Sequence, residues 1–539
     1  MSGKVYITAH PAYQIGEISP RLFGAFMEPI GTIVNGTMFN PKHPTAEAHG
    51  FRMDVIDGLK SAKMPAIRTP GGNFVSGWQW KDSIGPKSQR KVHLDPAWGQ
   101  YITNEIGHDE YLQWAEMTGA EPMYTINLGT GTMQDAMDIV EYTNHSKGSY
   151  WSDLRRKYGH ENPYGVKIWY LGNEMDGPWQ IGSWEKNPSG YGVLAHETSK
   201  AMKMISPGIE TAVCASSSPF EPHYPEWDEK VLSECYDTID YVSMHHYHAA
   251  EEGDIQSLLG GCDAFFEDYI RTELGLLDYM QTKMRSPKKV MISFDEYGAF
   301  CHPLRKVHPG YGVWAKANAY YQPNFTEYTL HDPDDMPQNR FRGSQILQAL
   351  SLASIQMVFL RHADRVKIGC MTGGIDALCS ADHDHVWRSA PYYVMEQLIE
   401  HAKGTSLELS IDCETFDIHG YAIDDTQAYA DRYGVRYVDG AASKCGNELT
   451  IFLINKNETE TYPLELDLRG FGELTLNEKS DLFTENLNAG NTYETPDRIK
   501  PILTLASEFE TNGITFKGGI LTDQLRPLSF VVYRLHEAT

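Results

Sequence analysis

The sequence predicts an α/β protein, a (β/α)8 barrel of the TIM type followed by an all-β sandwich. Two observations carry this reading. Eight short β-branched runs alternate with longer helix-like stretches through roughly the first 385 residues, and after about Ser389 the pattern changes to alternating apolar and polar residues.

The eight runs are Leu22 to Glu28, Ala66 to Gly71, Met123 to Leu128, Lys167 to Gly172, Thr211 to Ser216, Tyr241 to Tyr247, Lys289 to Asp295 and Arg365 to Met371. Helical stretches such as Gly192 to Ile205, Gln256 to Met284 and Gly343 to Leu360 lie between them. Eight βα units point to a closed barrel with its chemistry at the carboxyl ends of the strands; an open doubly wound sheet is the alternative. The uncharged stretch Gly343 to Leu360 contains Gln345, Gln348, Gln356, Ser344, Ser351 and Ser354, which fits a buried helix better than a membrane span. After the helix-like Tyr392 to Ala402, segments such as Leu449-Thr450-Ile451-Phe452-Leu453-Ile454 and Ser529-Phe530-Val531-Val532-Tyr533 have the alternation of sandwich strands. Val5-Tyr6-Ile7, ahead of the barrel, is expected to add a strand to that second domain. The chain thus divides into residues 1–18 (a strand segment joining the sandwich), 19–388 (the barrel) and 389–539 (the sandwich), with no long linker or internal repeat.

Of 539 residues, 46 are Lys or Arg and 72 are Asp or Glu, a net charge of −26 that repels phosphate backbones and anionic lipid. Nucleic-acid and membrane partners are therefore not expected. Aromatic residues make up 12%, with 31 Tyr and 11 Trp, which suits flat apolar contacts to a neutral polar ligand such as sugar. The 8 Cys contain no Cys-x-x-Cys pair and read as reduced, mostly buried thiols. Met1 to Ile15 has no apolar export signal, so a cytoplasmic location is expected.

Polar residues gather where the strands end. Strand one ends in Glu28, strand two carries Arg68 and then Gly71-Gly72-Asn73, and strand four runs into Asn173-Glu174. Strand six ends in His245-His246-Tyr247 and strand seven in Asp295-Glu296-Tyr297. Glu174 and Glu296 can face each other across the barrel mouth. Glycoside hydrolysis needs such a pair: one carboxylic acid to protonate the leaving oxygen, and one carboxylate to attack the anomeric carbon or activate water. Either Glu alone reads as an ordinary surface residue; the pair on these two strands does not. His245, His246 and His248, and the run Asp382-His383-Asp384-His385, offer metal-ligand types. Neither run has the His-x-x-x-His spacing of a helical site, and strand neighbours point to opposite sides, so the clusters read as hydrogen bonders at the pocket rim, and no metal and no cofactor is expected. Trp314, Tyr320, Tyr321 and Phe325, between Gly310 and Tyr328, read equally as a stacking wall for sugar and as core or subunit packing.

Four segments carry a resemblance. They are Phe23-Gly24-Ala25-Phe26-Met27-Glu28, Arg68-Thr69-Pro70-Gly71-Gly72-Asn73-Phe74, Leu171-Gly172-Asn173-Glu174-Met175-Asp176-Gly177-Pro178-Trp179-Gln180 and Ser293-Phe294-Asp295-Glu296. Together they resemble the α-L-arabinofuranosidases of glycoside hydrolase family 51 over nearly the whole chain. The resemblance implies a retaining exo-acting enzyme that releases terminal α-L-arabinofuranosyl groups from oligosaccharides or glycosides. It implies Glu174 as acid/base and Glu296 as nucleophile, a jelly-roll topology for the sandwich, and a homo-oligomer, by family a hexamer. Asn173 then meets the sugar 2-OH, Tyr247 and Arg68 support Glu296, and Glu28 and Asn73 bind ring hydroxyls. Arg68 reads equally as a structural ion pair.

Departures from the family pattern fall on the pocket wall. Pro29-Ile30-Gly31 stands where His-Leu-Gly is usual, Tyr297-Gly298-Ala299-Phe300 where Trp-Asn-x-Trp is usual, and Gly373 where a sugar-holding Gln is usual. Phe300 and Gly373 are therefore candidate specificity residues. The alternatives are a relative acting on another furanose, such as galactofuranose, and a non-catalytic sugar-binding barrel.

Overall fold

A computed structural model describes residues 3–302, 325–331, 345–422 and 428–538. Eight parallel strands close a barrel in sequence order. They are Gly24–Phe26, Ala66–Arg68, Glu121–Ile126, Ile168–Leu171, Glu210–Cys214, Tyr241–Glu251, Met291–His302 and Val366–Thr372, and each overlaps one of the eight expected runs. Alternation sorts their side chains. Phe26, Met123, Ile168, Tyr170, Ile368 and Cys370 fill the barrel interior, while neighbours such as Ile67, Trp169 and Leu171 face the helical layer.

Strands six and seven run past their expected ends. Their pairing continues from Glu296↔His245 to His302↔Glu251, so a two-stranded wall rises above the rim. Strand seven also carries a β-bulge: Ser293 pairs with Ser243, and the next pair is Glu296 with His245. The extra residue breaks the period of two, and the consecutive Asp295 and Glu296 can both turn toward the same guanidinium.

The long helices are Pro188–Ile205, Ile255–Lys283 and Gln345–Arg361. The last is buried from Gln345 to Leu360 except at the half-buried Gln348. Its Gln356 is tolerated there because Nε2 donates to the Leu22 carbonyl at 3.2 Å and to Tyr297 Oη at 2.7 Å. Among the described residues no helix is long and apolar enough to cross a membrane. The helix Ala390–His401, capped by Ser389 with Pro391 in its first turn, packs on Gln345–Arg361.

The second domain is a ten-stranded sheet around Val5, Ile7, Leu407, Leu453, Leu466, Val531 and Tyr533. The N-terminal strand Val5–Glu17 lies inside it, antiparallel to Thr405–Asp412 and parallel to Tyr462–Asp467. A hairpin arm, Thr415–Ile418 paired with Arg432–Arg436 and Tyr421–Ala422 paired with Ala428–Tyr429, leaves the sheet and lies against the barrel. Phe416 and Ile418 flank Gly260 of the helix Ile255–Lys283, where a Cβ would meet their side chains at 2.8 and 2.9 Å. At the arm's end Tyr421 Oη donates to the Ala249 carbonyl at 2.8 Å, and the Ala249 N–H donates to Tyr429 Oη at 3.3 Å.

Candidate active site

Arg68 is the hub of the barrel mouth. It is fully buried, its guanidinium lying 4.8 Å from the Phe26 ring centroid and 4.9 Å from that of Tyr170. Nη1 donates to Glu296 Oε1 at 2.6 Å and Nη2 to Asn173 Oδ1 at 2.8 Å, while Nε lies 3.1 Å from Asp295 Oδ2. Burial alone would lower its pKa, but Asp295 and then Glu296 raise it above the ordinary guanidinium value. Asn173 passes the chain on, donating to Asn73 Oδ1 at 3.2 Å.

Glu296 has both oxygens occupied. Oε1 accepts from Arg68, and Oε2 accepts from Tyr247 Oη at 2.7 Å. Tyr247 Oη also lies 2.8 Å from Thr372 Oγ1, which ties strand six to strand eight.

Glu174 sits in a different setting. The turn after strand four holds it at φ 43°, a left-handed backbone that a residue with a Cβ adopts only under local constraint. Its Oε2 accepts from Trp179 Nε1 at 2.6 Å and its Oε1 from His245 Nδ1 at 3.0 Å. Burial first, and the charge of Glu296 after it, hold its pKa above the ordinary carboxyl value against the hydrogen bonds from His245 and Trp179.

His245 joins the two sides. Nδ1 faces Glu174 and lies 3.6 Å from Glu296 Oε2, and Nε2 lies 3.2 Å from Asp295 Oδ2. Burial would lower its pKa, but the Glu296 charge and its hydrogen bonds to Asp295 and Glu174 raise it to about 10, so the ring is an imidazolium donating at both nitrogens. Asp295 is pushed up by burial yet ends below its ordinary value because Arg68 and then His245 outweigh that effect.

One ligand atom each from Glu174, His245 and Glu296 comes within 4.8 Å of the others, a spacing compatible with a cation. The hydrogen bond from His245 Nδ1 to Glu174 and its 3.6 Å approach to Glu296 Oε2 bring the three together.

Glu28 closes the opposite side. Its Oε1 accepts from the Phe74 N–H at 3.1 Å and from Trp98 Nε1 at 2.6 Å. Burial, then the Glu296 charge, raise its pKa well above the ordinary value. Gly72 makes this possible: its φ is +68°, and a Cβ there would overlap the Glu28 carboxylate.

The structure therefore gathers Glu28, Arg68, Asn73, Asn173, Glu174, Tyr247 and Glu296 at one mouth. Gly373 follows Thr372 at φ +66°, with no atom of the described residues within 4 Å of where a Cβ would project. Phe300 pairs with Ala249 in the wall above the site; its side chain lies outside the described residues. Trp314, Tyr320 and Tyr321 also lie outside them, whereas Phe325 stands over Gly99, next to Trp98.

Alternation divides the histidine run. His245 and Tyr247 face the mouth, whereas His246 packs against Phe266 and Phe220, lowered to about 3 by burial and then by His248. His248 lies with Nε2 3.0 Å from the Ser257 carbonyl. The Asp382–His385 run is bound to the chain after strand one: Arg52 Nη1 donates to the Asp382 carbonyl at 2.6 Å, and the His385 ring stacks on Tyr493. Sequence reasoning assigned no role to Trp98 and Trp179, which sit in irregular loops, and read His245 only as one of a cluster of pocket-rim hydrogen bonders, without its link to the two glutamates.

Two family models match the chain, that of the α-L-arabinofuranosidase 1 domain over residues 58–271 and that of the α-L-arabinofuranosidase C-terminal domain over residues 310–518. The intracellular exo-α-(1→5)-L-arabinofuranosidase 1 of Bacillus subtilis is 35% identical over 531 residues, 97% of this chain and 97% of the relative. An exo-α-(1→6)-L-arabinofuranosidase of Bifidobacterium longum is 32% identical over 517 residues, 93% of each. The solved structure of a family 51 α-L-arabinofuranosidase from Bifidobacterium longum superposes with a TM-score of 0.81 at 27% identity, covering 99% of each chain. With this barrel, this sheet domain and these relatives, the chain belongs to the α-L-arabinofuranosidases of glycoside hydrolase family 51.

Proposed function

We propose that the protein is a retaining, exo-acting α-L-arabinofuranosidase that removes terminal α-L-arabinofuranosyl groups from oligosaccharides or glycosides. The observation that carries the stereochemical part is the closeness of the two carboxyl groups, which approach within 4.8 Å across His245. Retaining enzymes hold the pair about 5–5.5 Å apart, whereas inverting ones leave about 6.5–9.5 Å for a water molecule.

In the first step Glu296 attacks the anomeric carbon. The bond to the leaving oxygen breaks as that oxygen takes the proton of Glu174, whose raised pKa keeps the proton available. In the second, Glu174 takes a proton from water, the water oxygen displaces Glu296, and the sugar leaves with its configuration retained. Arg68 and Tyr247 fix the two oxygens of Glu296 for attack. Asn173 serves the 2-OH, a contact that strengthens as positive charge builds at the anomeric carbon, and Glu28 and Asn73 serve other ring hydroxyls. The two curated relatives are named for different linkages, (1→5) and (1→6), so the terminal sugar is the shared element of recognition.

A second reading, a furanose with an extra exocyclic carbon, is favoured by the space that the described residues leave beside Gly373. We further assign the chain a place inside the cell, in line with the names of its relatives, a homo-oligomeric state from the family resemblance, and, from its charge of −26, no nucleic-acid or membrane partner.

The test is mass spectrometry after incubation with a slow activated furanoside. An adduct on Glu296 and a retained product anomer by early-time NMR are expected; an adduct elsewhere, or inversion, overturns the mechanism. Comparing kcat/KM over aryl furanosides tests the sugar: a hexofuranoside turned over faster than the arabinofuranoside would favour the second reading.

A further inference from the structure

The turn that carries Glu174 is gripped at both ends. Before it, Arg68 Nη2 donates to Asn173 Oδ1 at 2.8 Å. After it stands Asp176, fully buried, whose Oδ2 accepts from the Ser217 N–H at 2.9 Å and from Ser217 Oγ at 3.0 Å, and lies 3.2 Å from His223 Nε2. Asp176 Oδ1 has no donor among the described residues, so within them this carboxylate is bound only to the loop that follows strand five.

That loop is a fixed support. Ser216 Oγ donates to Asp228 Oδ1 at 2.8 Å, on the helix Glu226–Cys235, and the Ser216 carbonyl accepts from Tyr269 Oη on the helix Ile255–Lys283. Phe220 packs edge-on against Tyr429 of the sandwich arm, their ring centroids 4.9 Å apart. The turn is the strained partner. Glu174 stands at φ 43°, and a residue with a Cβ stays there only where its surroundings over-determine the backbone. The Gly177 N–H donates to the Glu174 carbonyl at 2.9 Å and the Trp184 N–H to the Met175 carbonyl at 2.7 Å, which set the shape of the turn. Its place over the barrel needs a contact with another βα loop, and Asp176 makes that contact.

We propose that Asp176 is a positioning residue for the proton transfer: by clamping the turn to Ser217 and His223 it sets where Glu174 presents its proton to the leaving oxygen. A general acid must come within about 2.6–3.2 Å of the atom it protonates, so a small drift of the turn disables it. The attack by Glu296 is spared, because Arg68 and Tyr247 hold that carboxylate from strands two and six. Losing the clamp should therefore cost most where the leaving group needs a proton and least where it does not. The inference rests on the reading of Glu174 as the acid/base.

The test compares kcat/KM on two substrates, methyl α-L-arabinofuranoside, whose leaving group needs protonation, and 2,4-dinitrophenyl α-L-arabinofuranoside, whose leaving group does not. Asp176→Ala should lose about 10²-fold on the first and less than about threefold on the second. Asp176→Asn keeps an oxygen toward Ser217 without the charge, and should stay within about fivefold of the wild type on both. Ser217→Ala removes the hydroxyl donor alone and should show the same split at about tenfold. Equal losses on the two substrates in Asp176→Ala, or no loss on either, overturn the proposal. An asparagine variant as impaired as the alanine one overturns positioning in favour of the carboxylate's charge. Should circular dichroism show that Asp176→Ala does not fold, Ser217→Ala decides, and the absence of a split there overturns the clamp. Glu174→Ala is the reference: without a split in that variant the acid/base reading itself falls, whereas a split there and none in Asp176→Ala overturns the clamp alone.

Discussion

The turn that carries Glu174 and the strand that carries Glu296 place the same side chain in opposite surroundings. Glu296 lies on a paired strand, both oxygens held by a guanidinium and a phenol. Glu174 lies on a left-handed turn, where burial raises its pKa against the pull of an indole donor. The difference teaches that division of labour between two glutamates is written in what surrounds them: both are buried and doubly hydrogen-bonded, but one faces a permanent guanidinium and the other an indole. His245 touches both sides, so the two environments are not independent.

The comparison breaks most completely in Glu296→Ala. Without the attacking carboxylate kcat should fall on the order of 10⁴-fold or more, with the far-ultraviolet circular dichroism unchanged. Glu174→Ala should act on one step only. Activated aryl arabinofuranosides should still load the enzyme, giving a burst followed by turnover slowed by about 10²- to 10³-fold, a pattern that rapid-quench kinetics resolves. Tyr247→Phe removes one of two donors to Glu296 and should cost about 10-fold in kcat/KM without moving the alkaline limb of the pH profile.

His245→Gln sharpens the link between the two sides through stability. With the folded pKa raised from 6.5 to about 10, protonation of His245 stabilises the fold fully below pH 6.5, and that contribution is lost as pH rises toward 10. Urea unfolding of the variant should lack this decline between pH 6.5 and 10, so the gap from wild type should be widest at the low end. The smallest effect is expected from Trp179→Phe. Its donor lowers the pKa of Glu174, so its removal should move the alkaline limb of kcat/KM upward while changing the neutral-pH value by less than about 3-fold.

Much of this was legible before the structure, and the limits have physical causes. The strands announced themselves as short β-branched runs, and Asn173-Glu174 stood out because two polar groups follow a fully apolar strand. The bulge in strand seven could not be read from alternation, which sends Asp295 and Glu296 to opposite faces, whereas the extra residue brings both to Arg68. Trp98 and Trp179 reach Glu28 and Glu174 from loops whose paths no periodicity encodes. His245 was within reach, since Tyr247 two residues on shares its face of the strand.

The arm from the sandwich has a consequence for how the gene can be cut. Tyr421 and Tyr429 satisfy the carbonyl and the N–H of Ala249, two residues beyond the tyrosine that grips Glu296. A chain truncated after the barrel's last helix would leave those groups bare at the foot of the wall above the catalytic mouth. It would also strip the strand Val5–Glu17 of both neighbours. The catalytic barrel is therefore not a transplantable module: exchanging the sheet domain between relatives edits the active site from behind, and chimaeras should be joined so that the arm and strand six come from the same parent.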